Sequence, residues 1–267
     1  MPVIKSNVHT HTDFCDGKDS MQSMAEYAAN IGFTTLGFSF HSYTNFDKSY
    51  CIRDYFGYIK EFYRVKELYK DKLTLLNGVE LDLYGERPSV CDYVIGSAHY
   101  LKENGRYLAI DCSEELFQVI LRRVYKGDAM AMVKRYYEEV AELAKNVRPD
   151  IYGHFDLITR YNCGGKYFDE GDGEYLKYAA RAIEALPEKA VAEVNLGRAF
   201  KGQGDIYPSE RLICMMKERG VRFMLSSDAH KKEALGYKFD ETLLRLKSLG
   251  VKSLAVYDGA SLIDTEI

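Results

Sequence analysis

The chain contains no tryptophan, so aromatic walls have to come from its 22 tyrosines and 13 phenylalanines. The tyrosines occur along the whole length and are expected mainly in the core and in pocket walls. No apolar run approaches a membrane span. The opening residues, MPVIKSNVHTH, lack the charged segment and apolar stretch of an export signal. The six cysteines, Cys15, Cys51, Cys91, Cys112, Cys163 and Cys214, form no CxxC pair and no compact framework. Reduced thiols in a cytoplasmic protein are therefore expected. Positive charge is not in excess, with 36 Lys and Arg against 40 Asp and Glu. That net charge of −4 argues against a nucleic-acid binder, yet leaves room for a small anionic substrate held by a few local cations. No glycine-rich GxGxxG follows the first strand, which counts against a dinucleotide-binding fold. With no linker, repeat, low-complexity tract or break in composition, residues 1–267 read as a single domain.

What is present is an alternation of strands and helices. Strands are expected at about Val3–Val8, in TTLGFSF (Thr34–Phe40), LTLLNGVEL, YVIGSAHY, DIYGHF, AVAEVNLG and VRFMLSS, with KSLAVY as a last candidate. The periodicity predicts a helix from Ser20 to Ile31, with Met21, Met24, Ala25 and Ala28 on one face and Gly32 as its stop. A second, Asp54–Tyr69, carries Tyr55, Ile59, Phe62, Val65 and Leu68 down one side. Further helices are expected over Ser113–Asn146, broken near Gly127, over Glu174–Leu186, from Ser209 onward, and over Asp240–Leu249. Seven or eight βα units with near-continuous apolar strands imply an α/β fold with a parallel sheet closed, or nearly closed, into a TIM-like barrel.

The six histidines are His9, His11, His41, His99, His154 and His230, and each falls at or just past the end of an expected strand. Glu80, in LLNGVEL, and Asp228, in MLSSDAH, share that placement. In a parallel barrel those ends converge on one face, where active sites are built. Imidazole and carboxylate together suit zinc, iron or manganese. In His9-Thr-His11 and in Asp228-Ala-His230, strand alternation turns residues i and i+2 to the same side. Taken singly, each histidine is an ordinary polar residue; the ordered set is what argues for a metal pocket. Glu80 is read as a bridge between two metals, against a salt bridge to an arginine as the plainer role. Asp16, His41 and His230 form a possible third position. Cys15 is read as a packed thiol. Arg160 and Arg198 follow the fifth and sixth strands, on the same face, and arginine forks match phosphate oxygens.

These residues together, HTHTDFCDG, NGVEL, GSAHY, GHFDL, EVNLG and SSDAH, resemble the PHP (polymerase and histidinol phosphatase) family, and most of all its histidinol-phosphate phosphatase branch. The resemblance runs over essentially the whole chain, in order. It implies a distorted (β/α)7-type barrel with two or three divalent metal ions (zinc, iron or manganese) at the C-terminal ends of the strands. One metal would take His9, His11, Glu80 and Asp228, a second would share Glu80 and add His99 and His154, and a third would take Asp16, His41 and His230. Many relatives carry a histidine in a stretch like CPHG; here the stretch is CDG, one residue shorter, with Asp16 nearest and Asp13 a weaker substitute.

The resemblance implies hydrolysis of L-histidinol phosphate, with hydroxide from a metal-bridging water attacking phosphorus in line and Arg160 and Arg198 holding the phosphoryl oxygens. Asp228 or His230 would move the leaving-group proton. Loop position alone nominates Glu115, Asp156 and Tyr161 for the amine and imidazole of the substrate. Competing readings are another phosphoesterase of the same family acting on nucleotides, an amidohydrolase-type deaminase, and a metal store or sensor. The carboxylate of the third strand and the Asp-Ala-His pair speak against the deaminase, and the two arginines against a store.

Overall fold

The computed structural model describes residues 5–259 and 261–267; residues 3 and 4 of the first expected strand lie outside them. The chain runs β1 (Ser6–Asn7), α1 (Met21–Asn30), β2 (Thr35–His41), α2 (Tyr55–Tyr69), β3 (Thr74–Asp82) and β4 (Tyr93–Ser97). A hairpin follows, β5 (Tyr100–Glu103) and β6 (Arg106–Ala109), then α3 (Glu114–Arg123), α4 (Ala129–Asn146) and β7 (Ile151–Tyr152). The rest comprises α5 (Gly173–Glu184), β8 (Val191–Asn195), α6 (Gly197–Phe200), α7 (Glu210–Glu218), β9 (Arg222–Ser226), α8 (Phe239–Ser248), and a second hairpin, β10 (Ser253–Asp258) and β11 (Ser261–Glu266).

Seven strands form one parallel sheet in the order β1-β2-β3-β4-β7-β8-β9. The sheet curls until its edges meet. Just past the ends of β1 and β9, Thr10 and Ala229 form a parallel bridge, with His11 N–H donating to Ala229 O at 2.8 Å and Ala229 N–H to His9 O at 3.2 Å. The result is a distorted (β/α)7 barrel, nearly closed, whose seam is drawn together at the C-terminal end of the strands. Among the described residues no helix is long and apolar enough to cross a membrane.

Local chemistry sets the helices. Ser20, Asp54, Ser113, Asp128 and Asp172 each cap a helix by accepting a backbone N–H of its first turn. Gly32 takes φ 85° directly after α1, as a helix stop requires. The buried stripe of α1 is Met21, Met24, Ala25 and Ala28, as its spacing predicts.

Three expectations change. On α2 the buried residues are Tyr58, Phe62 and Val65, while Leu68 is exposed. Tyr58 wins the inward position because its ring packs edge-on against Phe40 while its hydroxyl donates to Phe38 O at 3.3 Å, so ring and polar tip are both satisfied. The run YVIGSAHY is two elements, since the chain leaves the barrel after Ser97 and reverses through the β5–β6 hairpin. KSLAVY is not an eighth barrel strand. It pairs antiparallel with β11, and Ala255 and Tyr257 pack on inward residues such as Leu76, Tyr93, Val191 and Met224, filling the barrel end remote from the site.

Tyr93 forms the floor beneath the site. A Cβ on Gly37 or Gly78 would sit about 2.2 or 2.0 Å from Tyr93 atoms, so both glycines make space for its ring. Its hydroxyl donates to Val8 O at 2.5 Å. Glu80 lies one inward step above Gly78 on the same strand.

Candidate metal centre

The parallel register of β2 and β3 sets His41 beside Glu80, and the other expected residues gather on the same carboxylate. Glu80 is buried and holds its two oxygens apart in role. Oε2 lies 3.3 Å from His9 Nε2, 3.5 Å from His11 Nε2 and 3.0 Å from His41 Nδ1. Oε1 lies 3.3 Å from His99 Nε2 and 2.9 Å from His154 Nε2, and accepts from Ser97 Oγ at 2.7 Å. Asp228 completes the first group, its Oδ1 3.5 Å from His9 Nε2 and 3.2 Å from His11 Nε2. No arginine pairs with Glu80 among the described residues.

The third group is also assembled. Asp16 Oδ2 lies 3.0 Å from His230 Nε2, and Oδ1 lies 3.5 Å from His41 Nε2 and 3.9 Å from His11 Nδ1. The ring of His11 is stacked between those of His41 and His230, each at 4.3 Å. His11 therefore touches two groups, one through each ring nitrogen, where the family resemblance implied one. Asp13 is exposed and outside the cluster. Asp228 sits at φ 46°, a left-handed backbone that aspartate tolerates better than most residues. Gly197 leaves it room: a Cβ there would come 3.0 Å from Asp228 Cβ.

The donor set fits divalent cations. A tetrahedral ion with bonds of ~2.0–2.1 Å separates its ligand atoms by about 3.3 Å, and the His9, His11, Glu80 and Asp228 atoms stand 3.2 to 3.5 Å apart across the pairs given above. His9 Nε2, His11 Nε2 and Glu80 Oε2 are buried with no hydrogen-bond partner, which is costly unless something else binds them.

Electrostatics point the same way. Burial opposes charge on Glu80, but His9, His41 and His99 outweigh it and hold its carboxyl well below the usual range. Burial likewise opposes charge on Asp228, and His9, His11 and His230 hold it down. Burial, with His41 and His230 adjacent, pushes His11 down to about 3, leaving a neutral ring with a free lone pair. For His99 burial is outweighed by Glu80 and Asp82, which raise it to about 10. Buried carboxylates here draw positive charge from their neighbours; a bound cation supplies that charge instead of protons.

A supporting layer escaped sequence reading. Glu193, buried on β8, lies with Oε2 2.7 Å from His9 Nδ1 and accepts from Ser226 Oγ at 2.6 Å. Its Oε1 accepts from His154 N–H at 2.6 Å and from Asn195 Nδ2 at 2.9 Å. Asp82 does the same for His99, accepting its backbone N–H at 3.0 Å. The signal was present, since Glu193 stands in a buried, mostly apolar strand where a carboxylate needs partners.

The cluster opens into a cleft of about 410 Å³ lined by Arg160 and Arg198, with Lys18, Lys201 and Lys231 adding positive charge. Arg198 donates through Nη1 to Thr159 Oγ1 at 3.0 Å and lies over the Tyr207 ring. The Nε atoms of both arginines are buried without a partner. Cys15 is buried, its Sγ 3.7 Å from His11 Nδ1, and burial pushes its thiol up, as suits a packed residue. Glu115, Asp156 and Tyr161 do not line the cleft. Glu115 and Tyr161 face a shallower depression beside it. Asp156 is buried, where it accepts Ser209 N–H at 2.9 Å and burial pushes it to about 7.

Known proteins resemble the chain over most of its length. A model of the PHP domain matches residues 7–196, which takes in every cluster residue except Asp228 and His230. A Schizosaccharomyces pombe protein named "Probable histidinol-phosphatase" is 24% identical, over 97% of this chain and 90% of its own. The histidinol-phosphatase of Bacillus subtilis is 24% identical, over 90% of this chain and 99% of its own. Among solved structures, the histidinol phosphate phosphatase of Lactococcus lactis, complexed with zinc, L-histidinol and phosphate, superposes with a TM-score of 0.74 at 18% identity, covering 98% of this chain and 100% of that one. With a model of the PHP domain matching most of its length, the chain belongs to the PHP domain family.

Proposed function

We propose that the protein is a metal-dependent histidinol-phosphatase, hydrolysing L-histidinol phosphate to L-histidinol and phosphate. One observation carries this reading: Glu80 offers Oε2 to His9 and His11 and Oε1 to His99 and His154, beside two arginines whose Nε atoms are buried without a partner. The names of its full-length relatives support the substrate. The residues suit two or three divalent ions, with zinc the first choice and iron or manganese the others. His9, His11, Glu80 and Asp228 would hold one; Glu80, His99 and His154 a second; Asp16, His41 and His230 a third. Bound there, the ions supply Lewis acidity and bring the pKa of water to about 7.

The protein supplies the rest. Arg160 and Arg198 orient the phosphoryl group and balance its charge in the transition state. Glu193 fixes the tautomer of His9, keeping Nε2 free. Asp228 and His230 line the cleft, with Nδ1 of the histidine 3.5 Å from the carboxylate, and are placed to move the leaving-group proton. All six cysteines are unpaired, in keeping with a reducing cytoplasm.

The test is phosphate release by metal-loaded protein from L-histidinol phosphate, p-nitrophenyl phosphate and a panel of nucleotides. A clear preference in kcat/KM for histidinol phosphate is expected. A strong preference for nucleotides overturns the assignment.

A further inference from the structure

Five carboxylates line the cleft: Asp16, Asp47, Glu80, Asp111 and Asp228. Asp16, Glu80 and Asp228 belong to the histidine cluster. Asp47 is spent within its own surroundings: Oδ1 accepts from Ser49 N–H at 3.0 Å and Ser49 Oγ at 2.7 Å, and Oδ2 from Tyr100 Oη at 2.8 Å. Asp111 differs. Among the described residues its carboxylate accepts no hydrogen bond, and its nearest cation is Arg160 Nη1 at 3.9 Å, the outer limit of an ion pair. Its side chain is 24% exposed, so a ligand in the cleft can reach it.

Its position is fixed by the β5–β6 hairpin. Ile110 N–H donates to His99 O at 3.0 Å, and Tyr161 Oη donates to Asp111 O at 2.7 Å. Asp111 therefore stands one residue beyond a backbone bond to a cluster histidine, at the edge of the same space. The rings of Tyr50 and Tyr100 form an aromatic wall in that space, and among the described carboxylates of the cleft Asp111, facing Arg160 alone at 3.9 Å, is the most loosely held. The cleft is thus bipolar, with two arginines for an anion and, close by, a carboxylate that accepts no hydrogen bond and is held only by a long pair to Arg160.

We propose that Asp111 is a specificity residue that receives the ammonium group of an aminated phosphate monoester whose phosphoryl end lies at the cluster. This rests on the phosphatase reading above and sharpens it: the enzyme selects for a positive charge close to the ester, not for phosphate esters at large. A charge-assisted hydrogen bond to ammonium forms only with the aminated substrate, so its removal acts on that substrate selectively. A role in merely holding Arg160 acts on every phosphate ester alike.

The experiment measures kcat and KM of metal-loaded wild type and Asp111→Asn on L-histidinol phosphate, on its des-amino analogue 3-(imidazol-4-yl)propyl phosphate, and on p-nitrophenyl phosphate. The expected result is that D111N lowers kcat/KM for the aminated ester roughly 10- to 100-fold more than for the other two, mainly through KM. The two unaminated esters, measured on the same preparation, serve as the control for folding. An equal loss on all three, or no loss, overturns the ammonium subsite while leaving the phosphatase reading in place. No turnover of any ester by the wild type overturns the phosphatase reading, and the subsite with it.

Discussion

Glu193 Oε2 lies 2.7 Å from Nδ1 of His9, and both side chains are sealed from solvent. Burial opposes charge on Glu193, but His9 holds it as a carboxylate, which can only accept, so this contact keeps a proton on Nδ1 of His9. Glu193→Gln can set an amide N–H against Nδ1 and drive the proton to Nε2, the atom that faces Glu80 and Asp228. Metal affinity should fall roughly 10- to 100-fold, with Glu193→Asp intermediate. Competition titration with a chromophoric chelator measures it, and an unchanged affinity removes Glu193 from the support of the site.

Glu80→Ala should remove more than one metal per chain, because both carboxylate oxygens face histidine groups. Elemental analysis of protein purified without chelator is the measurement. Full metal content in the variant refutes the bridge.

Arg160→Ala and Arg198→Ala should each cost roughly 10- to 100-fold in kcat/KM toward phosphate esters, the scale of a charge-assisted contact made to the phosphoryl group. Neither arginine lies within the candidate metal groups, so metal content should stay intact. Unchanged kinetics for either variant would take that residue out of the site.

Chelation should destabilise the fold. Ions bound at about 100 times their Kd add ~2.7 kcal/mol, and for a chain of this size that corresponds to roughly 5–10 °C in Tm. Thermal unfolding with and without chelator checks this, with metal add-back as the control. An identical Tm for metal-free and loaded protein argues that the buried unpartnered atoms of His9, His11 and Glu80 have another explanation.

The histidines were legible because few exist and nearly all fall at strand ends, where barrel topology alone makes them meet. Glu80 and Asp228 were legible for the same reason. The supporting carboxylates were less so: Glu193 and Asp82 follow inward alternation along β8 and β3, but their partners lie far off in sequence. Asp111 was out of reach, because its place depends on the β5–β6 hairpin, which the pattern had merged into a barrel strand and a loop. The face of α2 was misjudged because aliphatic spacing favoured Leu68, whereas a tyrosine with a nearby carbonyl acceptor packs as well as any aliphatic residue.

The bridge between Thr10 and Ala229 joins backbone flanked by His9 and His11 on one side and by Asp228 and His230 on the other. The two halves are far apart along the chain, and only closure of the barrel seam brings them together. Opening that seam would part His9 and His11 from Asp228 and His230 while leaving Glu80 beside His99 and His154. The groups therefore differ in how far they depend on closure.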